Sequence, residues 1–186
     1  MKKLIIYSLL LVTFVTVSCK KETSLQSYLV DSQSKKGFVT LDIPASILQL
    51  SIDKASEEDK KAFESIRKVN ITGLPFENTD QTTYETEKEK LKKILKNSEY
   101  KKLMNFKKDD TNAIIYYSGE TDAIDEIIAF GYSDKMGVGV ARFLGENMNL
   151  SSIMRMMQNT KFDGSNLDLN QFKNLFGKTT NSTAKK

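Results

Sequence analysis

The chain of 186 residues contains no histidine, one cysteine and two prolines. Without histidine it lacks the usual general base, the usual charge switch near neutral pH and the commonest metal ligand. A lone cysteine closes no internal disulfide, so stability must come from packing. Beyond the first 18 residues no apolar run approaches the 20 or so residues that span a bilayer. Neither charge dominates: 28 basic residues against 24 acidic ones give a formal +4. A nucleic-acid binder concentrates basic residues on one face, so no nucleic-acid partner is expected.

What is present at the N-terminus is an address. Lys2 and Lys3 precede an apolar run over residues 4–17, and Ser18-Cys19-Lys20-Lys21 follows it. A basic start, a short apolar stretch and a small residue before the cut make a secretory signal peptide. Val15-Thr16-Val17-Ser18-Cys19 resembles a bacterial lipobox, with Thr16 where Leu is commoner. The expected site is therefore lipidation at Cys19, with palmitate or similar chains as the anchor and residues 1–18 removed as a lipoprotein signal peptide. The rival reading is an ordinary signal peptide, or an uncleaved anchor, with a coincidental cysteine. Each buried methylene contributes about 0.8 kcal/mol, and two or more chains hold far better than one. Removing Lys2 and Lys3 brings the net charge close to +2, and no free thiol remains for catalysis. The expected location is the bacterial cell envelope, lipid-anchored at the outer membrane on its periplasmic or surface face. Lys20-Lys21-Glu22 loosely resembles the charged signals that send some lipoproteins to the surface.

Residues 19–36 are polar and read as a flexible tether, in which Tyr28, Leu29 and Val30 can dock locally. An α+β domain is expected over 37–158, followed by a C-terminal extension over 159–186 with a short amphipathic helix and a disordered tail. Residues 37–43 read as a strand that Pro44 ends while opening a helix. Ser56 followed by Glu57, Glu58 and Asp59 reads as a helix cap, with Ala55, Ala62, Phe63 and Ile66 as the buried stripe. Val69, Ile71 and Leu74 read as a second strand, and Gly73 and Pro75 suggest a bulge or a sheet edge. Thr82 with Glu85 fits a capping box. The helix from 83 to about 96 presents Tyr84, Leu91, Ile94 and Leu95 on one side. The other side carries Glu85–Lys88, Glu87–Lys90 and Glu89–Lys93, pairs worth about 0.2–0.5 kcal/mol each. A short helix is expected over 98–104, with Tyr100, Leu103 and Met104 inward.

The period then changes to two. Residues 113–118, 124–132 and 138–144 read as three strands joined by short turns, an antiparallel meander. Asn149 can cap a helix holding Leu150, Ile153, Met154 and Met157. After it, Leu169, Phe172, Leu175 and Phe176 recur at helical spacing until Gly177. Runs of helices followed by runs of strands place the chain in the α+β class. The expected architecture is one antiparallel sheet, a three-stranded meander plus two N-terminal strands, with helices packed on one face.

Few residue patterns point to chemistry. Gly137-Val138-Gly139 lies in a strand context, and Arg142 stands where a dinucleotide loop needs its third glycine. The small side chains of Gly137, Gly139 and Ala141 read instead as a face that admits a closely packed helix. Residues 163–168 carry oxygen ligands but lack EF-hand spacing and its closing acid. Met148, Met154, Met156 and Met157 cluster, and the stripe positions Met154 and Met157 read as core, with Met156 free for a partner. Asp109 and Asp110 read as a turn. Asp125 and Glu126 alternate across a strand and cannot share a site. No catalytic residue, cofactor or metal site is assigned.

From Phe38 to about Gln158 the chain resembles the domain of unknown function 4252 family, found among Bacteroidota lipoproteins and secreted proteins. The resemblance rests on GFVTLDIP, KVNITGLPF, the charged helix running into SEYKKLMNF, the strands AIIYYS and DEIIAFGYS, and GENMNLSSIM. None of these segments is a catalytic signature, so no functional residues carry over. The expected function is a non-enzymatic envelope lipoprotein, held to the membrane by its lipid, that binds another envelope protein or has a structural role. Two alternatives stand beside it. The resemblance implies a regulator linked to envelope stress and sigma factors. The other is a small-ligand or lipid binder, or a hydrolase working without His or Cys.

Overall fold

Six stretches of strand-forming residues join one open antiparallel sheet. A computed structural model describes residues 23–49, 56–96 and 99–159 of the chain. The strands are β1 (Val39–Pro44), β2 (Ile66–Pro75), β3 (Lys101–Lys108), β4 (Thr111–Gly119), β5 (Ile124–Ser133) and β6 (Gly137–Met148), in the order β1-β2-β6-β5-β4-β3. The helices are α1 (Leu25–Ser32), α2 (Ala45–Gln49), α3 (Glu57–Glu64), α4 (Gln81–Leu95) and α5 (Leu150–Asn159). The α+β class and the antiparallel meander stand, and the meander has four strands rather than three.

The added strand is β3, where residues 98–104 were expected to be helical. The spacing of Tyr100, Leu103 and Met104 suits a helix. It loses to the edge of β4, whose backbone groups would otherwise lack strand partners. Asp109, with φ 53°, makes the turn that brings β3 back along β4. As a strand, this segment leaves Met104 and Phe106 exposed at 44% and 57% instead of turning Met104 inward.

Strand β2 is interior, between β1 and β6, and not an edge. Pro75 is tolerated because it is the last residue of the strand, and the register shift falls between Ile66 and Lys68 rather than at Gly73. A second shift, between Ile124 and Glu126, rolls Ile124 to the face opposite its expected neighbours Ile128 and Phe130.

Helices cover both faces of the sheet, not one. On the first face α1 and α4 pack Leu25, Tyr28, Leu29, Tyr84, Leu91 and Leu95 against Tyr116, Ile128, Phe130, Val138 and Val140. On the second, Ala62 and Phe63 of α3 and Ile153 of α5 join Ile43, Val69 and Ile127, with Ile47 of α2 and Phe143 beside them. The reason is visible in β5: consecutive Ile127 and Ile128 are both buried, so both faces need cover.

Residues Leu25–Ser32, expected within a tether, form α1 with Leu25, Tyr28, Leu29 and Ser32 buried. Ser24 caps it by accepting from the Ser27 amide. The cap of α3 is Ser56 as expected, and Asn149 caps α5 by accepting from the Ser152 amide. For α4 the cap is Asp80, two residues before the expected Thr82, and its carboxylate accepts from both the amide and the hydroxyl of Thr83. Among the described residues no helix is long and apolar enough to cross a membrane. Cys19, the expected signal segment, the segment 163–168 and the residues after 159 lie outside the described residues. So do the side chains of Met154, Met156 and Met157, while Met148 is fully buried.

Candidate functional site

The antiparallel register fixes which side chains stand side by side. On the second face three cross-strand rows run over the sheet. The row nearest the helices holds Ile43, Val69, Phe143, Ile127 and Tyr117, and α2, α3 and α5 pack over it. The next holds Leu41, Ile71, Ala141, Ala129, Ile115 and Met104; the third holds Val39, Gly73, Gly139, Gly131, Ala113 and Phe106. Both outer rows are small in the middle and large at the ends. Neighbouring strands lie about 4.8 Å apart, so the low floor is about 14 Å wide in the third row, from Gly73 of β2 to Ala113 of β4, and narrows in the second to Ala141 and Ala129 between Ile71 and Ile115.

The result is an apolar trough of about 380 Å³ on β2, β4, β5 and β6, with Met136 of the β5–β6 turn at its rim. Among the described residues the lining comes only from strands and this turn; no helix contributes. Of the large apolar side chains exposed on the described surface, Met136 lines it and Phe106 pairs across the sheet with its Ala113. The helix expected over Gly137, Gly139 and Ala141 is not among the described helices.

The glycines here do different work. Gly137 has φ 111°, and a Cβ there would collide with the Leu74 carbonyl oxygen. At Gly139 a Cβ would come within 3.0 Å of the Thr72 carbonyl oxygen, so close approach of β2 and β6 requires glycine. At Gly131 a Cβ would meet only the Asn112 carbonyl oxygen, at 3.8 Å, an ordinary contact. A glycine inside a strand weakens it through chain entropy and lost packing. At Gly131 the sheet does not need that weakness; keeping the floor low does.

Polar groups gather on the first face. Arg142, side chain 9% exposed, is held bidentately by Glu126, side chain 17% exposed. Its Nε donates to Glu126 Oε2 at 3.0 Å, its Nη2 to Glu126 Oε1, and its Nη1 to Gln26 Oε1 of α1. Asp125 points outward, so the carboxylates of 125 and 126 are separated as the alternation predicts. Nearby, partial burial raises the Asp42 carboxyl, but hydrogen bonds from Asn70 and Lys68 outweigh this and hold it below its ordinary value. Lys35 pairs with the buried Glu87 at 2.9 Å, so Glu87 serves α1 docking and not the expected pair with Lys90. Glu85–Lys88 forms as expected, and Glu89 pairs with Lys92 rather than Lys93. Burial, reinforced by the Glu87 carboxylate, pushes the Tyr28 phenol far above its usual value. Burial and the hydrogen bond to Asp134 at 3.0 Å do the same for Tyr84.

A second hollow, lined by Lys92, Lys96, Lys102, Tyr100 and Tyr116, lies at the end of α4. Cations are favoured at that carbonyl end of a helix, which accounts for Lys92 and Lys96 without a ligand. Asp110 of the β3–β4 turn accepts from the buried Ser133 at 3.1 Å. Among the described residues no three Asp, Glu, His or Cys converge on a metal-sized point.

The trough combines Gly73, Ala113, Ala129 and Gly131 from three strands with Gly139 and Ala141, which the sequence singled out. The signal that could have found the rest is the coincidence of small residues at equivalent places in strands that only pairing brings together. The model of the family described as Domain of unknown function (DUF4252) matches residues 31–156. No curated protein and no solved structure matches the chain.

Proposed function

The chain belongs to the DUF4252 family, and from that premise we propose that it is a lipid-anchored, non-enzymatic binding module of the bacterial envelope whose working surface is the apolar trough. The observation that carries this reading is Gly131, a strand-interior glycine with room for a side chain, at the centre of an apolar floor that no described helix covers. A flat floor between larger side chains takes an apolar segment of another envelope protein. The N-terminal signal and Cys19 put the domain at a membrane. Because α1 begins at Leu25, the chain from Cys19 to Ser24 reaches at most about 20 Å. The domain works close to its anchor rather than on a long leash.

Two experiments test this. A photo-crosslinking residue at Ala129 in living cells should give a discrete adduct with an envelope protein, and one at Val30, exposed on α1, should not. Equal adducts at both positions, or none from the trough, would reject the surface. Labelled palmitate should enter the wild-type chain and not the Cys19→Ala variant. Incorporation in neither would remove the anchor from the proposal. The apolar lining supports a second reading, in which the trough takes an acyl chain. Lipid recovered by native mass spectrometry from the wild type, and not from Ala129→Lys, would favour it.

A further inference from the structure

The two edges of the sheet differ in kind. Seven of the eight residues of β3 are exposed, and among the described strands it pairs only with β4. At the opposite edge β1 buries Ile43 and pairs Asp42 with Lys68. Strand β3 carries Lys101, Lys102, Lys107 and Lys108 and no acid, and β4 carries no charged residue. The nearest acids in the chain stand past the ends of β3: Glu99, and the turn residues Asp109 and Asp110, of which Asp110 accepts from Ser133. Among the described residues no carboxylate pairs with any of the four lysines, whereas Lys35, Lys68, Lys88 and Lys92 each hold one. Lys101 Nζ donates to the Gly119 carbonyl oxygen at 3.1 Å.

Lysines on an open edge discourage pairing with a second copy, and two antiparallel β3 strands would set lysine against lysine. That role accounts for the charges but not for Met104 and Phe106, exposed between them. The two lysine pairs lie about 20 Å apart with these apolar side chains in the middle. An anionic bilayer takes both, with phosphates at its surface and the acyl boundary just beneath. An added acidic strand fits less well, because the bulge between Lys102 and Met104 breaks the row of backbone groups it would need.

The path of the chain favours the bilayer too. Gln26, at the start of α1, accepts from Arg142, which Glu126 clasps. Glu126 pairs with Ser118 of β4, and the adjoining Tyr117 pairs with Lys101. Two strand spacings, about 10 Å, therefore separate Glu126 from the start of β3, so the chain enters the domain close to this edge.

We propose that β3 is a second membrane contact, with its four lysines on the headgroups of anionic phospholipids and Met104 and Phe106 at the acyl boundary. This rests on the reading of the chain as membrane-bound and adds how the domain lies there: the sheet stands on its β3 edge and the trough faces sideways.

The test uses the full chain in vesicles of phosphatidylcholine and in vesicles of equal parts phosphatidylcholine and phosphatidylglycerol. Flotation with the first reports the anchor. An environment-sensitive NBD dye on Met104→Cys, its attachment located by peptide mass, reports the edge, and the same dye on Val30→Cys is the control. With phosphatidylglycerol the Met104 emission should move to the blue and at least double in intensity. High salt should reverse the change, and Lys→Gln at all four positions should abolish it. Each lysine contributes about fivefold to the bound-to-free ratio, so Lys107→Gln with Lys108→Gln gives a graded reading should the fourfold variant misfold. Anchored chains with the same Met104 emission in both vesicle types would overturn the proposal and leave the anchor standing. A blue shift that salt and the Gln changes do not relieve, or an equal shift at Val30, would also overturn it. So would a shift produced by an added peptide of alternating Glu and Val and not by either vesicle, which would assign the edge to an acidic strand. Flotation with phosphatidylglycerol vesicles alone, accompanied by the blue shift, would support the β3 contact and remove the anchor.

Discussion

Replacing Arg142 with Met should destabilise the domain by about 3 kcal/mol, and replacing Glu126 with Met as well should return most of that loss. The guanidinium makes three hydrogen bonds, two to Glu126 and one to Gln26. Gln26 is exposed and regains water when its donor goes. Glu126, side chain 17% exposed, regains little. Removing one partner of a buried pair costs about 3–5 kcal/mol, because the other charge stays desolvated. Glu126's residual exposure puts Arg142→Met at the lower end. Glu126→Met strands Arg142, side chain 9% exposed, and should cost about 4 kcal/mol. Apolar replacement of both groups is commonly neutral or stabilising, so the double variant should lie within about 1 kcal/mol of wild type. Urea unfolding followed by tyrosine fluorescence gives the cycle, with seven tyrosines and no tryptophan as the signal. The slope against urea should not change, since the surface exposed on unfolding is the same. A double variant as unstable as the worse single one would refute the reasoning. The loss would then come from shape and not from an unpaired charge. A cost below about 1 kcal/mol for Arg142→Met would show that the pair is solvated.

Gly137→Ala should lose at least about 2 kcal/mol, from positive φ and the collision with Leu74, whereas Gly131→Ala should leave thermal stability unchanged or raise it by up to about 1 kcal/mol. Phe63→Ala, at a fully buried position, should cost about 3–5 kcal/mol in urea titration. Because Tyr28 and Tyr84 ionise less readily when folded, their contribution is complete below the ordinary phenol value of 10.0 and is lost as pH rises above it. Melting temperature should fall as pH rises past 10, and Tyr84→Phe should flatten that fall.

Several elements were legible because their causes are local. Ser56 and Asn149 cap their helices through their own side chains. Tyr84, Leu91, Ile94 and Leu95 share a face through the 3.6-residue period, and alternation in residues 124–144 marks β5 and β6. The misses share a different cause. Residues 101–108 satisfy a helical spacing and become a strand because β4 offers an edge. Tyr28 and Leu29 sit in polar surroundings, and only the assembled sheet and the α4 surface give them somewhere to be buried. Glu87 looks like one rung of a charge ladder until Lys35, 52 positions away, is brought beside it.

By itself the sequence determined the α+β class, the order of most elements, several caps and the small-residue character of Gly139 and Ala141, because periodicity and capping depend on neighbours a few residues apart. Tertiary structure decided that two layers of helices flank the sheet, that Arg142 is clasped by Glu126, and that glycines and alanines from four strands form one floor. Those arrangements depend on register between distant segments. Pairing residue 131 with 139, and 139 with 73, is a property of the assembled sheet that no short stretch of chain carries.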